Sequence, residues 1–466
     1  MKTKTLILAI VLLSSTFVKA QMECRSTLGA HLSPLYKEAP LSWAVEGTVA
    51  PGFMTSPYDT AKNAILNGGM FLGALNYSFN DNNSFYIEGG FKNWTNSALV
   101  TDNSSEKNKG RHFGMRQIFY SYSGESTKFK IGLHESRMGD FFLLDERILG
   151  GSFDKELNAF KIGLRAGTVS KGFARMGKFC SNRHLYGLIH PDYTENIGEK
   201  IGQTNLTGIF VNWDPHYKKP QNQENTDEFS NTDDGEFSNT SDDEFSSNTD
   251  EFHENHDFNE STNNNEFSNI EEKKKAFVSI SNLGFILYDE FGDNSYIPDN
   301  KLYTGVLVDF KFSNGFFLQT GPIYQNMKNN NAVVYIAKLG KSKVWNNASQ
   351  TKISGAFIGK YNIDKDAIFQ PLFSNLFLGE IMRMDVADFP LWQASVKHRF
   401  PGKLKFHIAL KSVGQIEDPH TNEQNIEFGL FALKKHLKVT LVGSSVQTKL
   451  LPNRFYTARL ELRLAF

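Results

Sequence analysis

Residues Phe455 to Phe466 narrow the choice of fold more than any other stretch. Side chains alternate between the two faces of a strand, so one face carries Tyr456, Ala458, Leu460, Leu462, Leu464 and Phe466. The other carries Thr457, Arg459, Glu461 and Arg463. A soluble sheet also buries one face and wets the other. Here the apolar face begins and ends on an aromatic ring, while the opposite face holds three charges. Such a strand fits between hydrocarbon and a wet interior, with rings at both interfaces.

The N-terminus reads as an export signal over residues 1–20. Lys2 and Lys4 precede an apolar run from Leu6 to Leu13, and Val18-Lys19-Ala20 offers small residues for cleavage before Gln21. That run is too short to cross a bilayer as a helix, which takes about 20 apolar residues. No other stretch approaches that length, which excludes helical membrane proteins. Gln21-Met22-Glu23 lacks the small and aliphatic residues of a lipid-attachment site before Cys24. Cys24 and Cys180 are too few for a disulfide scaffold, and whether they are bridged stays open. The 40 Phe residues coexist with a mean hydropathy of −0.39. A barrel that needs one apolar face per strand reconciles the two.

From Leu41 the chain falls into alternating segments of about ten residues. The spacing predicts strands over 42–53, 70–79, 85–91, 112–122, 128–134, 159–166, 169–178 and 206–213. In the second half it predicts 277–289, 302–312, 316–325, 332–339, 352–361, 392–400, 404–410, 426–433, 437–442 and 455–466. Connections alternate between long and short, Glu135 to Lys155 being one of the long ones. Residues 362–390 read as a long loop or as two further strands. The expected fold is all-β, a transmembrane antiparallel β-barrel of about 18 strands, within a range of 16–20.

Residues 219–275 interrupt the barrel, separating an N-terminal half (21–218) from a C-terminal half (276–466). Phe229, Phe237 and Phe245 recur every eight residues in a background of Asn, Ser, Thr, Asp and Glu. With so little apolar surface to bury, this acidic insert is expected to be disordered. Gly235 alone is too little glycine for a calcium-binding repeat. The insert falls where a short turn is due, which places it on the turn side of the barrel.

The insert also hides the charge of the barrel. Of the 51 acidic residues, 17 lie between 220 and 272, a span without Lys or Arg, leaving 34. Setting aside the three signal lysines leaves 47 basic residues, a surplus of 13. The alternation points Lys128, Lys130, Lys161, Arg165, Lys397, Arg399, Lys403, Lys405, Lys438, Arg459 and Arg463 inward, with Glu461 among them. Rings of Lys and Arg favour anions in pores. Pairing with Glu46, Glu88, Asp309, Glu427 and Glu461 would instead make a mixed, weakly selective wall. The stretch Arg137 to Ser152 is too apolar to extend into water. Folded inward, it would bury Phe141 to Leu144 and set Asp140, Asp145, Glu146 and Arg147 at a constriction.

The terminal strand resembles the closing strand of bacterial outer-membrane β-barrels. That resemblance implies a place in outer-membrane lipid, with Phe466 read as a signal by the barrel-assembly machinery. The run from Gly132 to Arg165 resembles the strand-loop-strand segment of alginate-export and phosphate-selective porins. It implies a porin-like protein and names no substrate; a wide, basic barrel is expected to be a channel for passive diffusion of small hydrophilic solutes, anionic or neutral. The absence of a plug-sized domain before the barrel argues against energised transport. A homotrimer stays open, and no nucleic-acid partner is expected. The alternative is a non-conducting barrel acting as an adhesin or structural surface protein.

No enzyme is expected. His134-Glu135-Ser136 resembles the His-x-Ser pair of outer-membrane phospholipase, but the alternation turns both side chains towards the lumen and away from lipid. Asp140, Asp145 and His112 form no recognisable protease site. Cys180, His184, His190 and Asp192 are too loosely spaced to assign zinc. Neither metal nor cofactor is expected.

Overall fold

The computed structural model describes residues 28–36, 39–57, 63–96, 109–138, 143–170, 200–216, 277–292, 300–365, 367, 379, 390–402, 404–432, 436–449 and 451–466. A 3-10 turn, Leu28–His31, and a two-residue strand β1 (Ser33–Pro34) precede the barrel. The first eight barrel strands are β2 (Leu41–Met54), β3 (Ala64–Asn80), β4 (Asn83–Asn96), β5 (Lys109–Ser123), β6 (Thr127–Met138), β7 (Leu144–Leu157), β8 (Phe160–Val169) and β9 (Thr204–Trp213). Then follow β10 (Val278–Gly292), β11 (Lys301–Phe312), β12 (Phe316–Asn326), β13 (Ala332–Val344) and β14 (Gln350–Asn362). The set ends with β15 (Leu391–Phe400), β16 (Lys405–Gln415), β17 (Asn422–Ala432), β18 (Leu437–Gln447) and β19 (Phe455–Ala465). Each pairs antiparallel with its chain neighbours, and β19 returns to β2, so β2 to β19 form a closed barrel of 18 strands. No helix among the described residues is long and apolar enough to cross a membrane.

Two solvents explain the burial pattern. Along β19 every second residue is buried inside, among them Arg459, Glu461 and Arg463, while Tyr456, Leu460, Leu462 and Leu464 are exposed outside. The same phase holds round the ring, with Val49, Phe71, Leu75, Ile131, Leu164, Phe285 and Leu339 outward. Aromatic residues mark both edges of this band. Trp43, Phe79, Phe160, Trp213 and Phe316 lie towards the short turns; Phe53, Phe113, Phe291, Tyr361 and Tyr456 lie towards the long connections. This is the outer surface of a barrel in hydrocarbon.

The seam that closes the ring is interrupted. Thr457 to Arg459 pair with Met54 to Gly52, and Leu462 to Ala465 pair with Val49 to Glu46. Between them, opposite Leu460, stands Pro51, which has no N–H to donate. On the inner side Arg463 reaches both Glu46 (3.5 Å) and Glu461 (3.4 Å), and Thr48 donates to Glu46 at 3.2 Å. Away from the seam, in the connection from β16 to β17, Thr421 Oγ1 donates to Asp418 Oδ2 at 2.6 Å, which helps hold that carboxyl below the usual carboxylate range.

The strand count agrees with the sequence expectation, but one assignment differs. The expected long loop Glu135 to Lys155 is mostly strand: β6 runs on to Met138 and β7 starts at Leu144. The expected strand 169–178 lies outside the described residues beyond Ser170. Also outside them are the signal, Cys24, Cys180, the whole insert and most of 362–390; Leu391 opens the next strand.

β6 and β7 leave the wall partway up. β5 pairs with β6 only from Ser123↔Lys128 to Ile118↔Leu133, although β5 continues to Lys109 against β4. β7 pairs with β8 only below Leu149↔Thr168. Above that line β6 and β7 remain paired to each other as a two-stranded ribbon. The reason is legible in the alternation: past Leu133 and Leu149, the positions that would face lipid are Glu135, Arg137 and Arg147. Each arginine there would cost roughly 2–4 kcal/mol at the midplane, so the ribbon turns inward. The crease is glycine on its concave side, Gly132 opposite Gly150 and Gly150 opposite Gly167. Gly132 has φ +127°, and a Cβ there would collide with the Ile118 carbonyl. Gly132→Ala is therefore expected to destabilise the barrel by about 1–3 kcal/mol, measured as a lower urea midpoint for loss of heat-modifiable mobility.

Candidate functional site

The candidate site is the barrel interior, and the ribbon divides it. One ribbon face carries Met138, Leu144 and Ile148, which join a buried cluster with Leu206, Ile286, Tyr288, Tyr303, Ile323, Val334, Leu391 and Val413. Met138 sits over Gly208 of β9, where an added Cβ would meet its sulfur at 2.6 Å. β6 and β9 are not neighbours in the wall, so this contact crosses the interior. Beside it Tyr288 and Tyr303 are direct cross-strand partners, with ring centroids 5.7 Å apart. The next pair towards the rim, Glu290 and Lys301, is a buried ion pair at 3.0 Å.

The opposite ribbon face is charged. Arg147, 1% exposed, donates to Glu135 and interacts electrostatically with Glu88 and Arg116 on the facing wall. That wall is arranged by a β-bulge. The register between β4 and β5 shifts at Glu88/Gly89, which turns the consecutive residues Arg116 and Gln117 both inward. Glu88 thereby gains Arg116 Nε at 3.3 Å, beside its cross-strand partner Gln117 (Nε2 at 3.3 Å) and the Tyr86 hydroxyl of its own strand at 2.7 Å. Neither Glu88 nor Arg116 has more than 1% of its side chain exposed.

Below the ribbon the interior is polar. Lys130 projects over the Phe119 ring (4.9 Å), and Arg165 grips Asp154 through two bonds of 2.9 and 3.1 Å. His134 is hydrogen-bonded through Nε2 to Ser152 Oγ (2.7 Å) and through Nδ1 to the Gly132 carbonyl (3.0 Å). Its ring partner is thus Ser152, and not the Ser136 of the His-x-Ser spacing. Further round, Lys352 and Lys397 face each other directly and Arg399 stands opposite both Gln350 and His407. His407 Nε2 meets Glu427 Oε1 at 2.7 Å.

Two other segments touch the inner wall. Leu28 of the 3-10 turn is fully buried among Ala44, Leu72, Ala74, Tyr86 and Phe119. Within 362–390, Lys360 donates to the Ala367 carbonyl at 2.7 Å. Gly379 lies against the inward Glu423, whose carboxylate a Cβ would strike.

Of the residues expected to line the interior, Lys128, Lys130, Lys161, Arg165, Lys397, Arg399, Lys405, Arg459, Glu461 and Arg463 lie on the inner phase of their strands. Lys403 and Asp140 are outside the described residues, as is the side chain of Asp145. Glu146 and Arg147 are buried in the ribbon, and Phe466 is exposed at the turn-side rim. His112 is described in its backbone alone; His184, His190 and Asp192 fall outside. Among the described residues no cluster of three or more His, Cys, Asp or Glu is arranged to hold a metal ion. Sequence reasoning missed Arg116, Gln117 and Lys352. The alternation could have found Lys352; Arg116 needed the bulge.

No protein-family model matches the chain, and no curated protein matches it significantly. Several solved structures are similar in shape. A BenF-like porin from Pseudomonas fluorescens Pf-5 superposes with a TM-score of 0.49 at 9% identity, over 91% of this chain and 98% of that one. Pseudomonas aeruginosa OccK2 (OpdF), in complex with glucuronate, gives 0.47 at 9% identity over 94% and 98%. OccK5 (OpdH) of the same organism gives 0.46 at 7% over 93% and 99%. At such identities no residue's role carries across.

Proposed function

We propose that the chain is a porin-like channel of the bacterial outer membrane, through which small hydrophilic solutes diffuse passively. The observation that carries this reading is the change of chemistry across one layer of strands. Aliphatic and aromatic residues cover the outside, while Lys, Arg, Glu and Ser line the inside of a closed ring. A wall of that kind separates hydrocarbon from water. The inward ribbon would set the narrowest point, with Glu88, Arg116, Glu135 and Arg147 beside it.

A preference for anions is supported by the inner face of β14 to β16, where Lys352, Lys397, Arg399 and Lys405 cluster. Like charges placed directly opposite repel, and a lumen of one sign concentrates counter-ions. In a planar bilayer with a salt gradient, the purified protein is expected to conduct in steps, with its reversal potential displaced towards the anion. Lys352→Glu/Lys397→Glu is expected to move that potential towards the cation.

The alternative, a non-conducting surface barrel, is favoured by one observation. The ribbon is buried on both faces, with Leu144 at 0% and Arg147 at 1% exposure. A refolded barrel that inserts but never conducts would decide for it.

A further inference from the structure

Charged and polar groups are rare on the lipid-facing side of a barrel and are tolerated only near its edges. One patch on this outer surface gathers several. Lys341 and Lys343 have the outward phase of β13, shared with the exposed Tyr335 and Leu339. Lys341 stands opposite Phe316, with its ammonium 4.7 Å from the ring centre; Lys343 lies 4.0 Å from that of Trp345. Thr351 is the cross-strand partner of Lys343, and His398 is the partner of Thr351. The three therefore form one line across β13, β14 and β15 on the outer face.

Trp345 Nε1 can only donate, and it does so to Thr351 Oγ1 at 2.8 Å. Thr351 Oγ1 lies 2.8 Å from His398 Nδ1, and either of the two can be the donor. The patch thus offers two ammonium groups with an imidazole ring beside them. It sits at the short-turn edge of the apolar band, where Leu339, Ile353 and Phe357 are exposed on the side away from the turn.

We propose that Lys341, Lys343 and His398 form a binding site for the phosphate headgroup of an anionic diacyl phospholipid. The occupant must set an anion level with the lysines and lay apolar chains along Leu339, Ile353 and Phe357. A phospholipid does both at once, whereas a free anion would leave the adjoining apolar surface to other lipids. The site rests on the reading of the barrel as membrane-embedded, and the short-turn edge makes the periplasmic leaflet its source. A basic residue at such a surface favours an anionic lipid by about fivefold.

The test uses the full chain in vesicles of equimolar phosphatidylglycerol and phosphatidylcholine with matched acyl chains. The immobilised fraction of each spin-labelled lipid is measured. Wild type is expected to prefer phosphatidylglycerol at the immobilised site by roughly twenty- to thirtyfold. Lys341→Ser/Lys343→Ser is expected to bring the ratio close to unity, and His398→Phe to lower it by a smaller factor. Equal immobilisation of the two lipids by wild type would overturn the site. So would a preference that survives in the double variant, or one abolished by excess inorganic phosphate. A chain that fails to enter the vesicles would instead sink the membrane reading, so the two failures are distinguishable.

Discussion

Excising His134 to Ile148 and joining Leu133 to Leu149 through Asn-Gly is expected to raise single-channel conductance roughly threefold or more. The join suits a two-residue hairpin, because Leu133 and Leu149 are direct partners. What is removed is the one described two-stranded ribbon that leaves the wall for the interior. The wall itself keeps its pairings of β5 with β6 and of β7 with β8, which end at Ile118↔Leu133 and Leu149↔Thr168. Conductance should therefore rise without loss of the folded, heat-modifiable barrel. An unchanged conductance in a folded variant would show that the ribbon is not the narrowest point. The cluster around Tyr288 and Tyr303 would lose its cover, and weak binding of apolar dyes is expected alongside.

The second large effect concerns stability. Arg116→Met is expected to cost about 3–5 kcal/mol, because it removes the cation 3.3 Å from the buried Glu88 carboxylate and leaves only the longer-range field of Arg147. Glu88 would keep Tyr86 and Gln117 as donors, but neither carries charge. Adding Glu88→Gln to the same chain should recover most of the loss, since the buried charge is then gone as well. Urea titrations of the two variants in parallel provide the check. If the single variant unfolds at the wild-type midpoint, water reaches Glu88 more freely than its burial implies.

How much of this was legible in the chain depends on which solvent each residue met. β19 could be read residue by residue because hydrocarbon fixed one phase and the wet interior the other. β7 could not: beyond Leu149 its lipid phase carries Arg147, and past Leu133 that of β6 carries Glu135 and Arg137, so the stretch reads as a loop. The physical cause of the misreading is also the cause of the inward turn. Strand 144–157 was missed for that reason. Arg116 and Gln117 are adjacent, and strict alternation cannot turn both inward; only the bulge at Gly89 does that. The outward histidine His398 drew no notice because a single titratable residue in an apolar phase has no signature until Trp345 and Thr351 are found beside it.

The seam at Pro51 has a kinetic consequence. Every other junction of the ring joins strands consecutive in the chain, so hairpins can form locally and early. Only Ala465 with Glu46 and its neighbours must find each other across nearly the whole polypeptide, and loop-closure entropy defers such contacts to the end. A joint that forms last, with a proline opposite Leu460 and the Glu46–Arg463–Glu461 clasp on its inner side, is also the joint most readily unzipped. Hydrogen exchange should therefore be fastest, among barrel amides at equal depth, along β2 and β19.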